Sequence, residues 1–256
     1  MPPATTPSEP RLSRPRRVAE AIKGWVMEEG WQPGHRLPSE ATLMTRFAMA
    51  KGTIREAIRI LEAQGLVTSR TGPGGGVFVH RVSEGRAAAL LGNYFYFAHP
   101  SLDDIYQLRA ALEPELAASL AGRLSPADLA RLDAAIAASA PPAVDPADEG
   151  ARHAASLAFH ATLAGMSDNP LLGFVIRFTA EMLGEVTVTR GLHSPTDPAL
   201  WETGLDHQRR LVAALRAGEA ATARAVMADH MDTARAMMRR QEAALTKRFL
   251  RERSGG

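Results

Sequence analysis

The stretch LPSEATLMTRFAMAKGTIREAIRIL, residues 37–61, decides the fold of the first third of this chain. Leu37-Pro38-Ser39-Glu40 reads as a helix start, with Ser39 at the N-cap and Glu40 in the first turn. The helix it opens is short, with Leu43 and Phe47 on its buried side. A break follows at Ala48 to Ala50, and a second helix runs from Lys51 to Gln64. Ile54, Ala57, Ile58 and Leu61 recur at helical spacing and form its apolar face, while Lys51, Thr53, Arg55 and Arg59 take the other. Gly65 ends it, as glycine commonly does past a helix C-terminus.

Upstream, Val18, Ala21, Ile22, Trp25 and Val26 repeat at helical spacing and predict a helix of about fifteen residues before the turn Gln32-Pro33-Gly34. Downstream, Leu66 to Arg70 and Val77 to Val79 are β-prone runs around a Gly/Pro tip from Thr71 to Gly76, the pattern of a hairpin. Three helices and a hairpin in this order make a winged helix-turn-helix, whose second short-spaced helix has the geometry to enter a major groove. Lys51, Arg55 and Arg59 stand at i, i+4 and i+8, placed to track phosphates or offer forked donors to guanine edges. A basic stripe alone is more often a solvated face; stripe, helix pair and glycine tip together point to DNA. Charge agrees, with 12 Lys and Arg against 7 Asp and Glu up to Arg81, and 18 against 21 thereafter. Residues 1–11 read as a disordered tail. Arg11, Arg14, Arg16 and Arg17 form a basic lead-in, open between a solubilising role and contact with the DNA backbone.

Past His80 the chain is Ala- and Leu-rich and helical throughout. Breaks at Pro100, Ser125-Pro126, Pro141-Pro142, Asn169-Pro170, Ser194 to Pro198 and Gly218 divide it into about seven helices, near 85–97, 102–122, 126–139, 148–166, 170–190, 199–217 and 219–247. The acidic stretch Ala140 to Gly150 reads as a loop and residues 249–256 as a basic tail. The fold expected is mainly α, a winged helix-turn-helix over 12–81 followed by an all-α bundle over 82–248. With 45 % hydrophobic but only 5 % aromatic residues, its cores must be aliphatic. The absence of cysteine excludes disulfides, thiolate zinc sites and thiol nucleophiles, and fits a cytoplasmic protein. No apolar run reaches the ~18–20 residues that span a bilayer, and the polar, proline-rich start lacks the apolar core of a signal peptide. A cytoplasmic location with no membrane partner is therefore expected.

Residues 12–80 resemble the DNA-binding domain of the GntR family. The resemblance lies in Pro33-Gly34 with Leu37-Pro38-Ser39-Glu40, in Thr53 to Leu61, in Gly65-Leu66-Val67 and in Gly72 to Val79. It implies double-stranded operator DNA as a partner, touched by Arg36, Ala50, Lys51, Gly52, Thr53, Arg55, Arg59, Thr71, Gly72 and Gly74. Three positions depart from the family pattern. Ala41 stands where Arg is usual, and Ala50-Lys51 where Ser-Arg is usual; Ala50 forfeits a cap worth about 1 kcal/mol, and Lys51 keeps charge without the fork. Arg55 matches a DNA-contacting arginine and would carry more of the readout.

The remainder resembles the effector domain of the FadR-type (FCD) branch of that family. The matching stretches are Arg109 to Glu113 with Leu116-Ala117-Ala118, Phe159-His160 before Ser167 to Pro170, His207 before Leu211 to Gly218, and Ala225 to Met227 before His230-Met231. The resemblance implies a homodimer, and a divalent ion (Zn²⁺ or Ni²⁺) on His160, His207 and His230. Ser156 occupies the place of the usual acidic ligand, with His153 on the same face as a substitute. On spacing alone, three histidines on separate helices are more often unrelated. Arg109 either pairs with Glu113 one turn on or clamps a carboxylate. The resemblance favours a small organic-acid effector at Arg109, Glu113 and Ser156, bound in the bundle and retuning or releasing a repressor on its operator. Two alternatives stay open: a metal-dependent enzyme built on the three histidines, and a regulator answering an acyl-CoA. No catalytic residue is assigned, because neither a His-Glu-x-x-His helix nor a general base stands beside the cluster.

Overall fold

The structure, a computed structural model, describes residues 12–141, 145–192 and 197–254. The tail expected over 1–11 lies outside them. The chain divides into two compact units, residues 1–89 and 90–256, and the helix Glu84–Ala98 runs across the division.

In the first unit α1 (Arg14–Glu28), α2 (Glu40–Phe47) and α3 (Lys51–Ala63) precede the antiparallel strands β1 (Val67–Arg70) and β2 (Gly76–Val79). Ser39 caps α2, its hydroxyl accepting from the Thr42 amide at 3.2 Å. Ala48, at φ 50°, turns the chain sharply, and α3 starts three residues later. The core gathers Val18, Ala19, Ile22, Leu43, Ile54, Ala57, Ile58 and Leu61 with Val67 and Val79 of the hairpin. Ala21, expected in this core, is exposed and Ala19 is buried in its place. Two steps along a helix rotate a residue by about 200°, so the two alanines lie on opposite faces, and alanine is too small for its hydrophobicity to fix which is buried. The strands pair Val67 with Val79 and Arg70 with Gly76, and the stretch before α2 closes the open edge of β2. There the Leu37 amide donates to Val77 O and the Val79 amide to His35 O, both at 2.8 Å.

The second unit follows α4 (Glu84–Ala98) with α5 (Leu102–Leu120), α6 (Pro126–Ser139), α7 (Pro146–Ala164), α8 (Pro170–Thr189), α9 (Pro198–Ala217) and α10 (Ala220–Ser254). These are the seven helices expected. α10 packs along α5 and α9, while α7 packs along α6 and α8. Two ionic clamps show that α5 and α10 run antiparallel. Asp103 at the start of α5 meets Arg235 and Arg239, and Glu115 near its end takes a bidentate bond from Arg224. The core between the helices is aliphatic, with Leu116, Leu132, Leu163, Ile176, Leu183, Met227 and Met231 buried. α7 begins at Pro146, inside the expected loop, because Asp145 accepts from the Asp148 amide at 2.8 Å and proline fits the first turn. α10 continues to Ser254, past the expected end, since neither Gly nor Pro interrupts the chain before Gly255. No described helix is long and apolar enough to cross a membrane.

The ends of α5 and α9 meet at two glycines. Gly122 has φ 72°, its amide donates to Leu215 O at 2.9 Å, and a Cβ there would lie 3.2 Å from the Gly218 Cα. Gly122→Ala is therefore expected to cost about 1–2 kcal/mol. Urea unfolding of the two proteins checks this, an unchanged midpoint being the contrary result.

Candidate functional site

Two surfaces carry chemistry, one in each unit. In the first, Lys51, Arg55 and Arg59 lie exposed along α3, as expected. None of them is free, and Arg59 Nη1 donates to Glu56 Oε2 at 3.4 Å. Arg55 Nε donates to Glu40 Oε1 at 2.9 Å, and Lys51 Nζ lies 3.9 Å from Glu40 Oε2, so one carboxylate at the start of α2 holds both cations. Such exposed pairs are weak, and a phosphate or guanine edge can replace the carboxylate. Ala50 makes no side-chain cap and Gly52 has open space around it, which leaves the first amides of α3 unshielded and suited to a phosphate. Thr53 is half-buried.

Thr71, Gly72 and Gly74 are exposed at the hairpin tip, where Gly72 and Gly74 take φ 87° and 77°. Arg36 is exposed beside this tip. Its Nη2 donates to Gly75 O at 2.5 Å, so this side chain braces the wing from behind.

In the second unit, four helices surround a pocket of about 510 Å³ including its mouth. α5 contributes Arg109, α7 His153, Ser156 and His160, α9 Gln208, and α10 His230. Spacing explains the convergence. His153, Ser156 and His160 stand at i, i+3 and i+7 on one face of α7, and Gly204 and Gln208 one turn apart on α9. Tyr106, Leu157, Trp201, Leu205 and Met237 make the walls apolar.

A buried charge network underlies the pocket. Arg109 is 1 % exposed and its Nε donates to Glu113 Oε1 at 2.6 Å. The other oxygen, Glu113 Oε2, lies 2.5 Å from His160 Nδ1, and His160 Nε2 lies 3.2 Å from His230 Nε2. The two imidazoles stack with centroids 5.1 Å apart. Burial pushes the Glu113 carboxyl up, but Arg109 and His160 outweigh it and hold it down at about 2. Burial also lowers His160, against the pull of Glu113, and lowers His230 further, so both rings are neutral at pH 7. Glu113 was expected to touch the effector; it does not line the pocket, and instead orients Arg109 and His160 from beneath.

His207 does not line the pocket either. Its ring meets His230 edge-on at 5.9 Å, and the next residue, Gln208, faces the cavity. Sequence reasoning missed Gln208, although it continues the stripe Trp201, Leu205, Gln208, Leu211 and Leu215 along the buried face of α9. Among the described residues, no group of three or more His, Cys, Asp or Glu is placed to hold a metal ion. The three histidines expected to hold an ion do come together, His160 Nε2 lying 3.2 Å from His230 Nε2 and the His207 ring 5.9 Å from that of His230, while Ser156 at the fourth position brings no charge. Several pocket groups lack hydrogen-bond partners while fully buried: Arg109 Nη2, both amide atoms of Gln208 and His230 Nδ1. Each costs about 1–3 kcal/mol until something pairs with it.

Comparison with known proteins places both units. Residues 15–79 match the model of the bacterial regulatory proteins of the gntR family, and residues 104–233, half of the chain, match the FCD domain. The chain belongs to the GntR family. It is a DNA-binding transcriptional regulator whose C-terminal FCD domain senses a ligand. The HTH-type transcriptional regulator LutR of Bacillus subtilis is 28 % identical, covering 78 % of this chain and 90 % of its own. An Escherichia coli protein named for regulation of the L-lactate dehydrogenase operon is 25 % identical over 88 % of each chain. The solved structure of a Streptococcus agalactiae GntR protein covers 86 % of this chain and 98 % of its own, with TM-score 0.59 and 20 % identity, which shows a shared fold.

Glu113→Gln tests the buried network of this GntR protein. Removing the carboxylate strands the Arg109 charge, and a loss of about 3–5 kcal/mol at pH 7 is expected from urea unfolding. A carboxyl held at about 2 when folded, against an ordinary 4.5, contributes its full stabilisation above pH 4.5 and loses it as pH falls toward 2. The gap between wild type and variant should accordingly be constant from pH 7 to 5 and shrink below 4.5. A gap as large at pH 3 as at pH 7 would contradict the network.

Proposed function

We propose that this regulator is a homodimeric repressor whose hold on operator DNA is released or retuned when a small organic acid enters the FCD pocket. The observation that carries the proposal is Arg109. Its guanidinium is buried, lines the pocket and keeps Nη2 without a partner, although Glu113 already neutralises its charge. A forked donor with one arm anchored and one open is suited to a carboxylate oxygen. The E. coli relative named for the L-lactate dehydrogenase operon makes L-lactate the first compound to try. Dimerisation finds support in α4, where Leu90, Tyr94 and Phe97 are exposed at i, i+4 and i+7, Phe97 at 79 %, an apolar face that a second copy would cover. Two recognition helices on a two-fold axis would then read two half-sites, and a shift within the bundle would alter their fit.

A gel shift on the DNA upstream of the chain's own gene, with and without a panel of small carboxylates led by L-lactate, tests the reading. Arg55→Ala is expected to weaken DNA binding at least about tenfold, the loss of one good bidentate contact. Arg109→Lys, which keeps the charge beside Glu113 but loses the fork, should bind DNA like the wild type and no longer respond to the acid. Unchanged binding by Arg55→Ala, or an undiminished response in Arg109→Lys, would contradict it.

A further inference from the structure

Resting on the DNA contact of Arg55 proposed above and deepening it, we propose that Glu40 determines sequence selectivity. It holds Arg55 by Nε and, as an anion, keeps that guanidinium on neutral guanine edges and off phosphates.

Glu40 is the first residue of α2, placed there by the Ser39 cap before it and by the wholly buried Leu43 one turn on. The N-terminal end of a helix suits a carboxylate. From this end Glu40 reaches across the turn to α3. Its Oε1 accepts from Arg55 Nε at 2.9 Å, between residues 15 apart in sequence, while Oε2 lies 3.9 Å from Lys51 Nζ. Nε is the inner nitrogen of the guanidinium. Nη1 and Nη2, which make the end-on fork, have no partner among the described residues. Tethered at Nε, the side chain has fewer rotamers to lose on binding and keeps its fork for the DNA.

A phosphate and a guanine edge both accept from such a fork, and charge separates them. A phosphate is an anion, whereas O6 and N7 of guanine belong to a neutral base. A phosphate that takes the place of Glu40 on Arg55 leaves the carboxylate unpaired beside it, like charge against like. At about 4 Å that repulsion changes affinity about fivefold even in water. A guanine edge takes the fork, leaves Nε with Glu40 and meets no repulsion. Glu40 also offsets Lys51, and its neighbour Ala41 brings no cation to cancel it. The α3 face thus gives up some affinity for any duplex in favour of choice among sequences.

The test begins with duplexes selected from a randomised DNA pool by the full-length protein. Affinities for the enriched sequence and for a scrambled duplex of equal length are then measured at one salt concentration. Glu40→Gln keeps an acceptor oxygen without the charge. It is expected to bind the scrambled duplex about fivefold more tightly and to lower the ratio of the two affinities at least about threefold. Glu40→Ala loses tether and charge together, and should lower the ratio at least about tenfold, as when one good bidentate contact is lost. Glu56→Gln removes the same charge beside Arg59, within one helix and away from the Arg55 tether. It should shift both affinities alike and leave the ratio within about twofold. If Glu40→Ala does not fold, the isosteric Glu40→Gln decides. An unchanged ratio in the Glu40 variants, or an equal fall in Glu56→Gln, would overturn this inference; Arg55→Ala losing affinity would then leave Arg55 standing as a DNA contact. Arg55→Ala binding the enriched duplex like the wild type, or a pool in which no sequence is enriched, would overturn both.

Discussion

An arginine and a glutamate one turn apart on α5, both 1 % exposed, set the terms for the rest of the effector bundle. Burying two charges is expensive and is repaid only by close geometry and by hydrogen bonds to every remaining lone pair. Glu113 uses both of its oxygens, one on Arg109 and one on His160. That ties α5 to α7, and the His160–His230 contact carries the tie to α10. Arg109 and Glu113 thus fix the orientation of two imidazoles on other helices and leave one guanidinium nitrogen buried without a partner. A pocket polar on one side and apolar on the other is the consequence.

The DNA-binding unit relies on weaker and more local devices. A serine cap, a left-handed Ala48 and the bracing of the wing by Arg36 hold the shape while an aliphatic core supplies the stability. Its cations rest on Glu40 at a surface where such pairs are worth little. This division suits the two tasks. A surface meeting a polyanion needs charges that exchange partners readily, whereas a domain that senses a ligand needs groups that cannot turn to water.

The order of elements was legible from residue pattern because long amphipathic runs and Pro, Gly and Ser punctuation act locally. Misplaced details had local causes that pattern alone weighs poorly, as with Ala19 replacing Ala21 and the Asp145 cap that starts α7 inside an acidic stretch. In the site, Arg109, Ser156, His160 and His230 were legible, from residue chemistry together with family resemblance, and the structure brings all four to one cavity. Gln208 was not. A histidine beside it drew attention, and a one-residue choice on a helix turns the side chain by 100°. Both are buried, and only the apolar stripe on α9 indicates which of the two lines the pocket. Glu113 was read as a ligand contact because its reach to His160 depends on how α5 and α7 pack.

Long-range ¹H–¹⁵N spectra of the histidine rings, assigned by single substitutions at pH 7, test most directly whether Glu113 holds His160 and, through it, His230. The account predicts a neutral His160 protonated at Nδ1 and a neutral His230 protonated at Nε2, with Nδ1 bare. A His160 protonated on both nitrogens, or a His230 carrying its proton at Nδ1, would contradict it.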